Sequence, residues 1–356
     1  MSYRILTLNP GSTSTKIAVF EDENELFSKT LRHSVEEINQ FPTIASQFQY
    51  RKNIISEELK SAGYELSSFD IIVGRGGLIK PIESGIYEVN EALAHDLEYP
   101  VMGEHASNLG GLIAKDLAKD ITGIKAYIAD PVVVDEMHPI ARISGHPAFK
   151  RVSIFHALNQ KMIGRTYAQE DNKKYEDLNL IIAHMGGGIS VGAHAQGRVI
   201  DVNNALDGDG PFSPERSGGL PTGALVEACF SGKSKAEIKK MLKGNGGVMA
   251  YLHTTDIKDV VEKAQVNPTS EQALVLNAMC YQIGKEIGAM ATVLNGKVDA
   301  ILLTGGIAYS KVVTDHITEM VKFIAPVKIY PGEDEMKALA MNGLFVLRGE
   351  LKPKNY

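Results

Sequence analysis

Apolar and polar positions alternate through three opening runs, RILTLN, TKIAVFED and ELFSKTLRH, with a polar turn at Glu21–Asn24 before the third. That period-two pattern predicts a three-strand meander. Helical spacing then covers QFPTIASQFQYRKNIISEELKSAG and stops at Gly63. The short apolar run DIIVGRGG reads as a buried strand ending on glycines. Helical periodicity returns in ASNLGGLIAKDLAKDI, and KAYIADPVVVD is another apolar strand ending on an acid. After Gly145-His146-Pro147 the pattern starts again. NLIIAHMGGGISVGAHAQGRVIDV reads as strand, glycine turn, strand, tight turn at Gln196-Gly197, strand. Helical segments follow in GALVEACFSG, KAEIKKMLKG and residues 271–294. DAILLTGGIAYS is a third strand running into glycines, and EDEMKALAMNGLFVLRGE closes the chain as an apolar-striped helix. The repeated plan predicts an internal duplication, with two α/β domains facing each other across a cleft. The expected domains are residues 1–148 with 334–356, and residues 149–333.

The 356 residues suffice for two cores. A net charge of −6 and no basic block argue against a nucleic-acid partner. Met1-Ser2-Tyr3 runs straight into a strand, so no signal peptide is expected. The longest apolar helical run, 273–294, holds Asn277, Lys285 and Glu286 in its middle and reads as a core helix, not a membrane span. Cys229 and Cys280 lie in apolar helical patterns and are expected as separate buried thiols. The chain is therefore expected in the cytoplasm, with no membrane partner.

The chemistry concentrates in glycine turns. LNPGSTSTK, residues 8–16, packs short donors, a glycine and a lysine into one turn between strands. Backbone N–H groups in such a turn can form an anion nest. Ser12, Thr13 and Ser14 add hydroxyl donors, and Lys16 adds a point charge. Taken alone, the turn could equally be a decorated β-turn, but HMGGGIS and LTGGIAYS supply two further glycine turns at strand ends. None is a Walker loop: Lys16 follows Thr15, and Gly232-Lys233-Ser234 has Glu227 where that motif needs glycine. No G-x-G-x-x-G opens a helix after a strand, which disfavours a dinucleotide fold.

In order along nearly the whole chain, NPGSTSTK, VGRGG, GEHASN, ADPVVVDE, FHALNQK, AHMGGGIS, PERSGGLPTG and PGEDEM resemble the signatures of the short-chain carboxylic acid kinases. That family, which includes the acetate kinases, belongs to the superfamily of sugar kinases, heat-shock chaperones and actin. The resemblance implies two duplicated actin-like ATPase (ribonuclease H-like) domains with a nucleotide cleft between them. It implies ATP/ADP and Mg²⁺ as cofactors, a short-chain carboxylate as acceptor (butyrate favoured), and an acyl phosphate as product. It also implies a homodimer or larger homo-oligomer. Because a carboxylate is already ionised, no general base is needed. A sugar kinase would need one and would give no hydroxamate with hydroxylamine, and an ATP-switched actin-like protein would instead show filaments by light scattering with ATP.

The same resemblance implies roles for single residues. Asn9, Ser12, Ser14 and Lys16 would hold phosphoryl oxygens, with Asn9 near Mg²⁺ and Glu335 reaching the metal through water. Asp130, His156 and Arg216 would lie beside the reacting groups, and His105 on the substrate side. His184, Gly186, Gly187, Gly188, Asp256, Lys258, Gly305 and Gly306 would bound the nucleotide. From residue chemistry alone, Asp130 could be a turn cap, His156 structural and Arg216 a surface charge. His105 could cap or pack, and Glu335 could be a first-turn glutamate serving the helix dipole. The chain departs from acetate kinases at His184-Met185-Gly186-Gly187-Gly188, at Asp256-Ile257-Lys258 and at Gly306-Ile307-Ala308-Tyr309-Ser310. It also carries Gly74 where that family lines its acyl pocket with valine, and Ile72 in place of the arginine that meets the carboxylate. The expectation is that Gly74 admits a longer chain and Arg75 binds the carboxylate, if the glycines bend the strand.

Overall fold

The computed structural model describes residues 2–99, 102–119 and 121–356. They form two compact units: the chain up to Val134 joined by Asp334–Tyr356, and Asp135–Glu333.

In the first unit the predicted meander is β1 (Arg4–Pro10), β2 (Ser14–Glu21) and β3 (Asn24–Arg32), antiparallel, with Asn9 opposite Lys16. Helices α1 (Val35–Ile38) and α2 (Phe48–Ser61) follow. The predicted helix from residue 40 starts later because Thr43 and Ser46 bond each other's backbone N–H groups (3.2 Å each) in a turn after Pro42. Next come β4 (Ile71–Arg75), β5 (Ile86–Glu88), α3 (Glu91–Glu98), α4 (Asn108–Ala118) and β6 (Lys125–Ala129). The sheet order is β3-β2-β1-β4-β6-β5. One face packs Leu6, Leu8 and Ile72 against Leu109 and Ile113 of α4. The other is covered by the C-terminal helix, Glu335–Leu347, whose Gly343 lets Ile5, Ile71 and Val73 approach closely.

The second unit opens with α5 (Ala157–Glu170), then the second meander β7 (Asn179–Met185), β8 (Ile189–Ala195) and β9 (Arg198–Val202). Helices α6 (Thr222–Cys229), α7 (Lys235–Leu242), α8 (Val248–Leu252), α9 (Ile257–Val266) and α10 (Glu271–Val293) lead to β10 (Ala300–Gly305), α11 (Lys311–Val321) and β11 (Val327–Pro331). The order β9-β8-β7-β10-β11 repeats β3-β2-β1-β4-β6. In both sheets the first meander strand pairs in parallel with the next strand after the helices. That match is the duplication in structural form.

Two expectations are corrected. Residues 135–148, assigned to the first domain by sequence, pack with the second unit. Lys161 Nζ donates to Glu136 Oε2 (2.6 Å), Val199 N donates to the same oxygen (2.9 Å), and His138 N donates to Ile200 O (2.8 Å). Cys229 is exposed, because α6 buries none of its residues; Cys280 is buried as expected, and burial pushes its thiol up to about 12. Among the described residues no helix is long and apolar enough to cross a membrane.

Glu286, on α10, is held up to about 7 by burial first and by Asp209 next, with Asp201 adding and Arg151 and Lys285 opposing. Its folded pKa lies above the ordinary 4.5, so between those two values the unfolded chain has released a proton that the folded chain retains. Stability therefore falls as pH rises through that window. Glu286→Gln should stabilise the protein by about 1–3 kcal/mol at pH 8 and change little at pH 4.5. Urea unfolding at the two pH values checks this, and an equal change at both contradicts it.

Candidate active site

In the first unit, the turn joining β1 to β2 is built over a buried cation that sequence inspection missed. Arg51 of α2 is 0% exposed. Its Nη1 donates to Gly11 O (2.8 Å), Ser14 O (3.1 Å) and Thr15 Oγ1 (3.0 Å), and Nη2 donates to Ser12 O (3.0 Å). Nε donates to Gln47 Oε1 (3.0 Å). The carbonyls that would repel an anion are thus drawn down to the guanidinium, while Ser12 and Thr13 stay exposed. Burial pulls the Arg51 pKa down, yet a guanidinium stays charged, so it adds positive potential beneath the turn. One signal was available: Arg51 lies four and eight residues before Ile55 and Leu59, the buried positions of the same helix.

At the end of β1, Asn9 Nδ2 donates to Glu335 Oε2 (2.5 Å). Arg75 takes the same carboxylate bidentately: Nη1 donates to Oε2 (2.8 Å), and Nη2 lies 2.8 Å from Oε1. Arg75 Nη1 also reaches Asn9 Oδ1 (3.3 Å). The arginine fork expected to meet a substrate is therefore filled by Glu335. Gly74 is corrected more firmly. A Cβ there would sit 2.2 Å from Gly110 O, because β4 touches the backbone of α4 at this point. The strand stays regular, so Gly74 faces α4 while Arg75 faces the C-terminal helix, and the two cannot line one pocket. Gly74 is a close-packing residue.

Asp130 follows β6, is 1% exposed and has φ +37°, a left-handed conformation that side chains avoid. Its Oδ1 accepts from Ser84 Oγ (2.6 Å) and Gly85 N (2.8 Å). A buried, strained acid before proline is a feature of functional sites, and here the strain is tied to a definite bonding arrangement. His105 is exposed, and its Nδ1 accepts from Ser107 N (3.2 Å) in the turn just before α4, whose N-cap residue is Ser107.

In the second unit the HMGGGIS turn joins β7 to β8. His184 and His156 stack, with ring centroids 3.8 Å apart and planes 11° from parallel. His184 Nδ1 meets Asn159 Oδ1 (2.7 Å), and Nε2 meets Glu333 Oε2 (3.2 Å). His156 Nδ1 meets Ser190 Oγ (2.9 Å). A Cβ on Gly188 would lie 1.9 Å from Arg216 Nη1, so the third glycine of the turn makes room for the arginine. Arg216 Nη1 donates to Ala205 O (2.5 Å), while its buried Nε has no hydrogen-bond partner. Burial pulls the Arg216 pKa down and Glu215 opposes. A partly buried guanidinium whose enclosed Nε is an unfilled donor suits an anion.

Beside this turn opens a cavity of about 890 Å³, the scale of a nucleotide site. It gathers the predicted Gly186, Gly187, Asp256, Lys258 and Gly306. Its apolar walls are Ile257, Val261, Ile307 and Val312; in sequence Ile257 and Ile307 stand out only within the departures from acetate kinases, and Val261 and Val312 read as ordinary helix positions. Asp256 spends its Oδ1 capping α9, accepting from Lys258 N (2.9 Å). Gly305, at φ +88°, lets β10 approach Met185 O, where a Cβ would lie 2.4 Å away.

The Acetokinase family profile matches residues 149–337. The chain is 59% identical to butyrate kinase 1 of Clostridium acetobutylicum over 355 residues, covering 99% of each chain. It is 56% identical to butyrate kinase 2 of the same organism, covering 100% of each. In fold it resembles the crystal structure of Porphyromonas gingivalis acetate kinase, with TM-score 0.78 and 19% identity over 97% of this chain and 100% of that one. The fold is that of the actin-like ATPases.

Gly74→Ala should therefore cost stability, not retune substrate choice. A methyl forced onto a helix backbone is overpacking worth about 1–3 kcal/mol or more. Denaturant unfolding reads the loss; a variant as stable as the native chain would restore Gly74 as a pocket position.

Proposed function

We infer the reaction from the premise that this chain belongs to the acetokinase family. It is a phosphotransferase with a carboxyl acceptor that phosphorylates butyrate, converting ATP and butanoate to ADP and butanoyl phosphate. The observation that carries this reading is full-length identity to the butyrate kinases, and the cavity and glycine turns are consistent with it.

A carboxylate oxygen attacks the γ-phosphorus as the bond to the ADP oxygen breaks, and ADP leaves with that electron pair. No proton moves in this step, so the site needs placed charge, not a base. Lys16, Ser12, Ser14 and the turn over Arg51 are read as holding phosphoryl oxygens. Arg216 and His156 are read as stabilising charge on the group in transit. Asp130 is read as orienting, because one of its oxygens is already committed to Ser84 and Gly85. The cavity beside His184 and Gly186–Gly188 is read as the nucleotide site.

Mg²⁺ would accompany the nucleotide. Among the described residues no cluster of three or more His, Cys, Asp or Glu could hold a metal alone. Mg²⁺ ordinarily takes phosphates, waters and one or two carboxylates, and that donor set fits outer-shell contact from Asn9 and Glu335. The ion would neutralise phosphate charge. An enzyme acting on ATP in this way is placed in the cytoplasm, and the acyl phosphate is energetic enough for the reverse reaction to make ATP.

Self-association is supported by α6 and the residues that flank it. Leu220 is 42%, Val226 48% and Phe230 86% exposed, and the helix buries nothing. Between Leu220 and Phe230 only Glu227 is charged, so the patch carries little charge to repel a second copy of this chain. Phe230→Glu should convert a dimer or larger assembly to monomer in size-exclusion light scattering. A monomeric native protein, or an unchanged variant, overturns this reading.

Hydroxylamine trapping with C2 to C6 acids and ATP should give a hydroxamate, most from butyrate. Failure to trap any hydroxamate excludes acyl phosphate formation. Arg216→Ala should lower kcat by about 10²–10³, the effect of removing one fixed transition-state charge. A folded variant with near-native kcat removes Arg216 from the mechanism.

A further inference from the structure

Helix α5 begins beside His156 and carries Gln160 one turn on, facing β8. Gln160 Nε2 lies 3.0 Å from Ser190 O and 2.8 Å from Ser190 Oγ. A backbone carbonyl only accepts, so the amide nitrogen must sit there, which turns Oε1 toward His194 Nε2 at 2.9 Å. An amide oxygen also only accepts, so His194 Nε2 carries a proton. His194 is 0% exposed, and burial, then the charge of Lys161, holds its pKa well below 6.5. The ring is neutral, so its Nδ1 accepts, and Tyr175 Oη donates to it at 2.5 Å.

The other end is equally determined. Ser190 Oγ accepts from Gln160 Nε2 and from His156 N (3.4 Å), which uses both of its lone pairs. Its proton is left to point at His156 Nδ1, 2.9 Å away. An Nδ1 that accepts leaves the proton of a neutral imidazole on Nε2.

We propose that a one-way chain of hydrogen bonds, Tyr175 to His194 to Gln160 to Ser190 to His156, fixes His156 as the Nε2–H tautomer, and that in this form it donates to the transferring phosphoryl group. The second half rests on the reaction assigned above. Tyr175, His194, Gln160 and Ser190 are positioning residues; only His156 would touch the reacting atoms. The chain is dry, with Gln160, His194 and Ser190 at 0% exposure and Tyr175 at 4%. Bonds in such a series polarise one another in the same sense. The backbone makes room for it: a Cβ on Gly192 of β8 would lie 2.6 Å from Gln160 Oε1 and 3.2 Å from His194 Nε2. A reaction that moves no proton has use for an oriented donor and none for a base, and this chain supplies the donor.

Nitrogen-15 NMR of the full-length protein labelled at histidine tests it, with the His156 signals identified by their loss in His156→Gln. The native protein should show His156 neutral and protonated at Nε2. This measurement needs no destabilising variant, and a native His156 protonated at Nδ1 overturns the chain. Ser190→Ala should give a mixture of tautomers and lower kcat about tenfold, with the nucleotide KM little changed; Ser190→Thr should restore both. An unchanged tautomer in Ser190→Ala also overturns the chain. A changed tautomer with unchanged kcat instead overturns the donor role of His156, leaving its orientation standing.

Discussion

A buried donor must find an acceptor, and both glycine hairpins of this protein are held by that requirement. Leaving such a group unpaired costs about 1–3 kcal/mol, a sizeable part of a typical domain's stability. In the first unit Arg51 projects from α2 into a place without water and bonds the carbonyls of Gly11, Ser12 and Ser14. In the second, Gln160 projects from α5 and holds both the carbonyl and the hydroxyl of Ser190, just past the second turn. Neither side chain can be satisfied unless the neighbouring backbone adopts its observed path. The path of each hairpin is thus held by a side chain from a neighbouring helix.

Glycine acts in this structure mainly by letting other groups come close. At Gly74 it admits the backbone of α4, at Gly188 the guanidinium of Arg216, at Gly192 the Gln160–His194 contact, and at Gly305 the carbonyl of Met185. Only the last needs a positive φ. The four positions share a cause: a helix backbone, a strand backbone or a side chain comes to the strand or turn at a separation that a single methyl would prevent. A glycine in a turn that resembles a phosphate-binding consensus can therefore act one step back, by making space for a charged side chain, as Gly188 does for Arg216.

Charge at the end of β1 is arranged as a linked set. Asn9, Arg75 and Glu335 satisfy one another, with the acid at the start of the C-terminal helix, where the dipole also favours it. Arg75 positions Glu335 and, through it, Asn9 at the end of β1. Arg216 in the second unit differs, since its buried Nε lacks a partner. A guanidinium that is partly buried and incompletely bonded is unfavourable alone and becomes favourable when an anion arrives. That contrast separates a structural arginine from one suited to transition-state charge.

The sequence by itself determined the strands, because period-two apolar runs leave little freedom once a sheet has a buried face. It determined the duplication, because the second meander repeats the order of the first, and it located the glycine turns and the ordered motifs that mark the family. It could not show that β4 lies against the backbone of α4, so Gly74 looked like an opening when it is a contact. Nor could it show that residues 135–148 pack with the second unit, or that Arg75 and Asn9 share the carboxylate of Glu335, far away in the chain. The chain from Tyr175 to His156 was equally hidden, since its members are ordinary polar residues scattered over a helix, a loop and a strand. Periodicity records which face of an element is buried. Which atom lies across from which depends on how helices cross sheets, and only the tertiary structure decided that.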